Sequence, residues 1–217
     1  FGLEDPRITL IDGVYYIHYV AVCAAGVTTY LISTVDFNTY KRHGVIFCPD
    51  NKDAAIFSGK INGSFYALNR PSSLLSSKQQ MWIAESPDLI NWGNHRLLMA
   101  PGFGSWDEAK IGAGAVPFET EKGWLEIYHG ADKDNRYCLG AMLLDGDDPG
   151  RVLARSKEPL LVPKAPYELT GLLGNVVFTC GAVVKDDELL VYYGAADSVT
   201  ALAVTSVDEV LKSLEAI

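Results

Sequence analysis

Cysteine is scarce and unpatterned in this chain, with residues at 23, 48, 138 and 180 and no CxxC spacing. That argues against a zinc ribbon or redox motif and against a disulfide framework; each Cys lies beside an apolar run and is expected to be a buried thiol. Positive charge is also short: 18 Lys and Arg stand against 27 Asp and Glu, a net charge of −9. Such a balance disfavours nucleic acid and anionic membranes as partners. No apolar stretch is long enough to span a membrane and no signal peptide is recognisable, so a soluble cytoplasmic domain is expected. Metal-ligand motifs are missing too. Helical patterning is confined to residues 206–217, where Asp208 and Glu209 form an acidic first turn.

What fills the chain instead is a repeated strand grammar. The first unit runs Asp5 to Ile11, turns at Asp12-Gly13, and continues through Val14 to Val20, Thr28 to Thr34 and Arg42 to Phe47. The second has Ala54 to Phe57, a turn at Asn62-Gly63, Ser64 to Leu68, Gln80 to Ser86 and Arg96 to Met99. The third has Gly114 to Phe118, a turn at Lys122-Gly123, Trp124 to His129, Cys138 to Asp145 and Val152 to Ser156. The fourth has Val176 to Val184, a turn at 185–187, Leu189 to Tyr193 and Thr200 to Ser206. Short Val-, Ile-, Tyr- and Phe-rich runs joined by Asn-Gly or Asp-Gly are hairpins. Four-stranded units recurring at this spacing are the signature of β-propeller blades. With 48% hydrophobic residues the chain can bury a sizeable core, and residues 1–217 are expected to form one all-β propeller domain.

Polar clusters recur beside the innermost strand of each unit. This places Asp5, Lys52-Asp53, Asp107 to Lys110 and Asn175 around one mouth, where blade loops converge. Glu4-Asp5-Pro6-Arg7 is the sharpest of them. Pro6 removes a donor and restricts Asp5, presenting its carboxylate at a strand mouth, although a turn cap reads the same way from these residues alone. Single residues elsewhere are equally two-sided. Arg70 before Pro71 reads also as a solvated loop base, Lys110 as a surface lysine, and His129 as a satisfied core histidine.

Taken in order, Glu4-Asp5-Pro6-Arg7-Ile8-Thr9, Asn51-Lys52-Asp53-Ala54, Asn69-Arg70-Pro71, Ser86 to Gly93, Lys110 to Gly114, Gly123-Trp124-Leu125, Tyr128-His129-Gly130 and Gly194 to Asp197 resemble glycoside hydrolase family 130 over nearly the whole chain. The resemblance implies a five-bladed propeller. Four blades are countable here, so residues 1–217 would be an N-terminally incomplete domain, the open sheet edges awaiting another blade. It implies inverting phosphorolysis of β-mannosides, β-1,4-mannooligosaccharides foremost, by inorganic phosphate to α-mannose 1-phosphate. A hydrolytic β-mannosidase and a non-catalytic sugar-binding propeller are the alternatives.

By the same resemblance Asp5 is the acid, its proton passing through a hydroxyl of the bound mannose. Phosphate would be held by Lys52, Arg70, Lys110, His129 and Tyr137, and sugar by Asp53, Asp107, Asn175 and Asp197, with Arg7 supporting Asp5 or touching sugar. Phosphate is already a nucleophile, so one carboxylic acid and a set of cations suffice where an inverting hydrolase needs two carboxylates. Hydrolytic members replace phosphate-holding bases with carboxylates; this chain keeps Lys110 and His129. No cofactor is implied beyond phosphate as co-substrate, and a homo-oligomer is left open. Tyr192 and Tyr193 read as core, Asp88 as a turn residue and Trp92 as packing between blades. Ser58-Gly59 and Thr179 depart from the family pattern and bear on the acceptor subsites.

Overall fold

A computed structural model describes residues 1–72 and 78–217. The first sheet is an antiparallel meander of β1 (Gly2–Ile11), β2 (Val14–Cys23), β3 (Gly26–Thr34) and β4 (Lys41–Phe47). A second holds β5 (Asn51–Ile56), β6 (Phe65–Pro71), β7 (Met81–Ser86) and β8 (Gly93–Met99). In the third, β9 (Lys110–Ala113) and β10 (Phe118–Thr120) both pair with β11 (Gly123–Ala131), followed by β12 (Tyr137–Leu144) and β13 (Val152–Ser156). After a single turn, α1 (Pro166–Leu169), come β14 (Val177–Lys185), β15 (Glu188–Ala195) and β16 (Val199–Ser206) of the fourth sheet. Then α2 (Val207–Ser213) leads to β17 (Leu214–Ala216).

The hairpins form where turn chemistry demands them. Asp12 and Gly13 have φ of 49° and 77°, and Asn62 and Gly63 have 50° and 88°, the paired left-handed conformation of a two-residue turn that matches strand twist. A second local device connects the third and fourth strands of three blades. Asp88 accepts the N–H groups of Ile90 (2.9 Å) and Asn91 (2.8 Å), which brings its carboxyl down to about 2. Asp36 does the same with Asn38 and Thr39, and Asp145 with Asp147 and Asp148. Asp88 is thus the turn residue expected, and Trp92 stacks on Phe47 of the neighbouring blade at 5.4 Å.

Alternating strand faces then bury side chains between successive sheets. Ile11, Leu31 and Phe47 of the first sheet meet Ala54, Ile56 and Ala67 of the second. Phe57, Leu68 and Met81 of the second meet Ile111, Trp124 and Met142 of the third. Leu125, Ile127 and Leu139 of the third meet Val177, Leu189 and Tyr193 of the fourth. Each fully buried aliphatic or aromatic side chain of this kind contributes roughly 1.5–3 kcal/mol. The result is a four-bladed, propeller-like array in which β1 and β14, the innermost strands of the outer two blades, also touch.

Four local expectations are corrected. The innermost strand of the third blade is not continuous over Gly114 to Phe118: residues 114–117 break it, because Pro117 lacks an N–H and the Ala113 and Gly114 carbonyls bond to Arg7 of the first blade. The C-terminal helix stops at Ser213, and β17 turns back to pair with β13, Arg155 opposite Glu215. Of the cysteines only Cys138 is buried; Cys23 and Cys48 are exposed, since they fall at strand ends on a blade margin. Tyr193 is core, its hydroxyl donating to Glu168 at 2.6 Å, but Tyr192 is 46% exposed.

Candidate active site

A cleft of about 610 Å³ opens at one mouth, lined by Glu4, Asp5, Lys52, Asp53, Arg70, His129, Tyr137, Asp197 and an apolar wall that includes Leu172 and Phe178. The volume is that of an ordinary small-molecule site. Two β-bulges aim acids at it. The β1–β2 register slips between Glu4 and Arg7, and the β5–β6 register slips between Lys52 and Ala55. Within these bulges Asp5 and Asp53 have φ of 51° and 52°, the left-handed conformation that Asp tolerates better than most residues. The bulges occupy equivalent places in successive blades, so one structural device presents both carboxylates.

Around Asp53 the site is buried and tightly paired. Its Oδ2 lies 2.7 Å from Arg70 Nη1 and 3.2 Å from His129 Nε2, and Arg70 Nη1 is 3.3 Å from that same nitrogen. All three side chains are buried. Burial opposes the Asp53 charge, but Arg70 first and His129 second outweigh it and hold the carboxyl well below the usual carboxylate range. Burial pushes His129 below the ordinary imidazole range, against the pull of Asp53, so its neutral form is favoured. Asp53 Oδ1, Arg70 Nε and His129 Nδ1 have no partner among the described residues. Gly112 makes this packing feasible: it lies opposite His129, and an added Cβ would run into the Asp53 carboxylate and come 2.7 Å from His129 Cε1.

Strand pairing extends the cationic wall. Lys110, Ala131 and Tyr137 are register neighbours across β9, β11 and β12, and Lys110 Nζ donates to the Tyr137 hydroxyl at 2.6 Å. The Tyr137 ring stacks with His129 at 6.1 Å. On the other side Lys52, paired with Arg70 in register, sits 3.7 Å from Asp5 Oδ2 and 3.8 Å from Glu4 Oε2. Of the five residues expected to hold phosphate, Lys52, Arg70, His129 and Tyr137 line the cleft with Asp5, and Lys110 joins them through its bond to Tyr137.

The expected sugar ligands divide. Asp197, with φ 49°, lines the cleft. Asn175 is exposed and is not among the residues lining the cleft; it adjoins Val176, which does line it, and its carbonyl accepts the Tyr137 N–H at 3.0 Å. Asp107 does not reach the cleft: it is fully buried, held by Arg155 and by Ser105, with the Tyr128 hydroxyl 3.1 Å from its Oδ2. Arg7 is likewise 1% exposed and lies beneath the mouth, its donors directed to backbone carbonyls. Arg155 and the wall of Leu172 and Phe178 are not legible in the sequence, since Arg155 in a strand and leucines in a loop carry no local signal of such roles; Glu4 lies in the Glu4-Asp5-Pro6-Arg7 motif but has no role of its own there.

One mouth of the four-bladed array thus gathers Glu4, Asp5, Asp53 and Asp197 with Lys52, Arg70, His129 and Tyr137 in a single cleft. The chain belongs to glycoside hydrolase family 130, whose profile, described as β-1,4-mannooligosaccharide phosphorylase, matches residues 1–216. It is 47% identical to β-1,2-mannobiose phosphorylase of Listeria innocua over 99% of this chain and 61% of that protein. It is 42% identical to 1,2-β-oligomannan phosphorylase of a Thermoanaerobacter species, over 96% and 70% respectively. The solved structure of the Listeria innocua enzyme with β-1,2-mannobiose superposes with a TM-score of 0.96 at 46% identity, covering 98% of this chain and 60% of the other. The chain thus spans about three fifths of the length of that relative. Among the described residues no group of His, Cys, Asp or Glu is arranged to hold a metal ion, and no helix is long and apolar enough to cross a membrane.

Proposed function

We propose that this protein is an inverting β-mannoside phosphorylase, transferring a mannosyl group to inorganic phosphate. The observation that carries the reading is the row of Lys52, Arg70, His129, Tyr137 and Lys110, which begins at Lys52, 3.7 Å from the Asp5 carboxylate. Asp5 supplies the proton, which reaches the departing glycosidic oxygen through a hydroxyl of the bound mannose. Phosphate, held on the wall by charge-assisted bonds, attacks the anomeric carbon from the opposite face and leaves as α-mannose 1-phosphate. Asp53 serves the wall more than the sugar, because its Oδ2 is spent on Arg70 and His129, while the unpartnered Oδ1 is left for a ligand hydroxyl. Asp197 in the cleft, and Asn175 next to the cleft residue Val176, are assigned to sugar.

A β-1,2 linkage is favoured over β-1,4, because relatives at 47% and 42% identity both carry β-1,2 names. Five-bladed closure belongs to the same reading. It is supported by the greater length of the relatives and by the apolar outer faces of the two end blades, where Ile8, Leu10, Val183 and Val204 are about half exposed. Cytoplasmic localisation is part of the same proposal. The deciding experiment is product analysis of the full-length protein on β-1,2- and β-1,4-mannobiose, with and without phosphate. Mannose 1-phosphate formed only with phosphate supports the proposal; free mannose released equally in its absence replaces it with hydrolysis.

A further inference from the structure

The interruption of the third blade's inner strand is filled by a carboxyl group that the reaction itself does not use. Glu126 lies on β11, wholly buried between Trp124 and Tyr128, whose rings join the apolar core, and its Oε2 has no partner among the described residues. Its Oε1 accepts the Gly114 N–H at 2.9 Å, a donor that the strand break would otherwise leave without a partner. The carbonyl of the same Gly114 accepts Arg7 Nε at 2.6 Å, and the adjacent Ala113 carbonyl accepts Arg7 Nη2 at 2.8 Å. Arg7 Nη1 in turn reaches the Asp5 carbonyl at 3.1 Å. One unbroken path therefore joins Glu126, Gly114, Arg7 and the backbone of Asp5, residues supplied by the first and third blades.

We propose that Glu126 is a positioning residue for Asp5, fixing the Ala113–Gly114 segment on which Arg7 sets the acid's backbone. Asp5 needs such support. Its left-handed φ of 51°, followed by Pro6, is a conformation that persists only where surroundings over-determine it. A buried carboxyl is also costly among apolar neighbours unless bonded. Burial raises Glu126 well above the usual carboxylate range, with the Gly114 N–H and Arg7 opposing. The neutral acid and a glutamine are then close equivalents, since both offer an oxygen to Gly114.

This inference rests on the reading of Asp5 as the acid, and the test separates the two. Steady-state kinetics of the full-length protein on β-mannobiose and phosphate are compared for wild type, Glu126→Leu, Glu126→Gln and Arg7→Lys. Glu126→Leu is expected to lower kcat about tenfold, with KM for phosphate and for mannoside each within about twofold, because a small displacement of a reacting group acts on the chemical step. Glu126→Gln should keep kcat within about threefold of wild type, since the acceptor is retained. Arg7→Lys, which breaks the fork at the other end of the path, should reproduce the Glu126→Leu pattern and serves if the leucine variant does not fold. A Gln variant as impaired as Leu, an unchanged kcat in the folded Leu or the Lys variant, or a phosphate KM rising in step with the loss would each overturn the proposal. A wild type without phosphorolytic activity would overturn the proposed function, and this inference with it.

Discussion

Asp53 Oδ2 stands 2.7 Å from Arg70 Nη1 with both side chains shut away from solvent, tying the two innermost strands of the second blade together. Asp53→Asn keeps the shape and removes the counter-charge, stranding a buried guanidinium. Breaking one partner of a buried pair costs about 3–5 kcal/mol. A loss of that size in urea denaturation is expected, with phosphate KM rising as Arg70 and His129 lose their anchor. A loss below about 1 kcal/mol would show that the pair is solvated in solution.

Asp5→Asn removes the proposed proton donor while preserving its outline. General acids contribute about 10²–10⁴-fold in rate, so kcat on β-mannobiose should fall by at least that range with mannoside affinity largely kept. Turnover near wild type would place the acid elsewhere.

Lys110 Nζ and the Tyr137 hydroxyl are 2.6 Å apart and part-buried at the end of the cationic wall. Lys110→Ala removes a charge-assisted contact worth roughly 1.5–3 kcal/mol, equivalent to about 10–150-fold in phosphate KM. Titrating phosphate at saturating mannoside, and the converse, should show the effect on phosphate alone. An effect confined to the mannoside would reassign Lys110 to the sugar.

His18 is 1% exposed, its Nε2 without a partner among the described residues, and burial together with nearby Arg7 brings it down to about 3. In the unfolded chain an imidazole titrates near 6.5, so between the two values the unfolded state carries a proton that the folded state refuses. Its stabilising contribution is complete above about pH 6.5 and is lost as pH falls toward 3, at up to about 1.4 kcal/mol per pH unit. His129 acts in the same direction. Asp53 acts only at lower pH, its contribution being whole above about pH 4. Urea unfolding between pH 5 and 6 should therefore show stability rising with pH. His18→Gln should reduce that slope by about one proton; an unchanged slope would mean that His18 is charged in the folded protein.

Much of this architecture is legible residue by residue because its causes are local. Asp12-Gly13 and Asn62-Gly63 specify their hairpins without help from elsewhere, and Val152 to Ser156 is a strand with the bounds its composition suggests. What could not be read has distant causes. The break at 114–117 depends on Arg7, 107 residues away from Gly114, and β17 exists because β13 offers it an edge. Site residues follow the same division. Asp5, Lys52 and His129 lie in short motifs whose positions on inner strands bring them to the mouth. Asp107 lies in an equally suggestive motif, but Arg155, 48 residues on, claims its carboxylate. Motif spacing locates a side chain along the strand; it does not say which neighbour has already taken its charge.

Gly112 offers the sharpest test of how closely two blades must approach. It faces His129 across β9 and β11, and a methyl group there would collide with the Asp53 carboxylate and lie 2.7 Å from His129 Cε1. Neither neighbour can retreat: Asp53 is held by Arg70, and the His129 ring is packed 4.6 Å from Phe178. Gly112→Ala should therefore cost about 1–3 kcal/mol through overpacking and raise phosphate KM about tenfold by parting Asp53 from His129. Gly93→Ala is the control, since nothing lies within 4 Å of its added Cβ, and it should fall within about 0.5 kcal/mol of wild type. If Gly112→Ala binds phosphate normally and melts with wild type, the second and third blades are not in contact through Asp53 and His129, and the cationic wall must be assembled by the ligand itself.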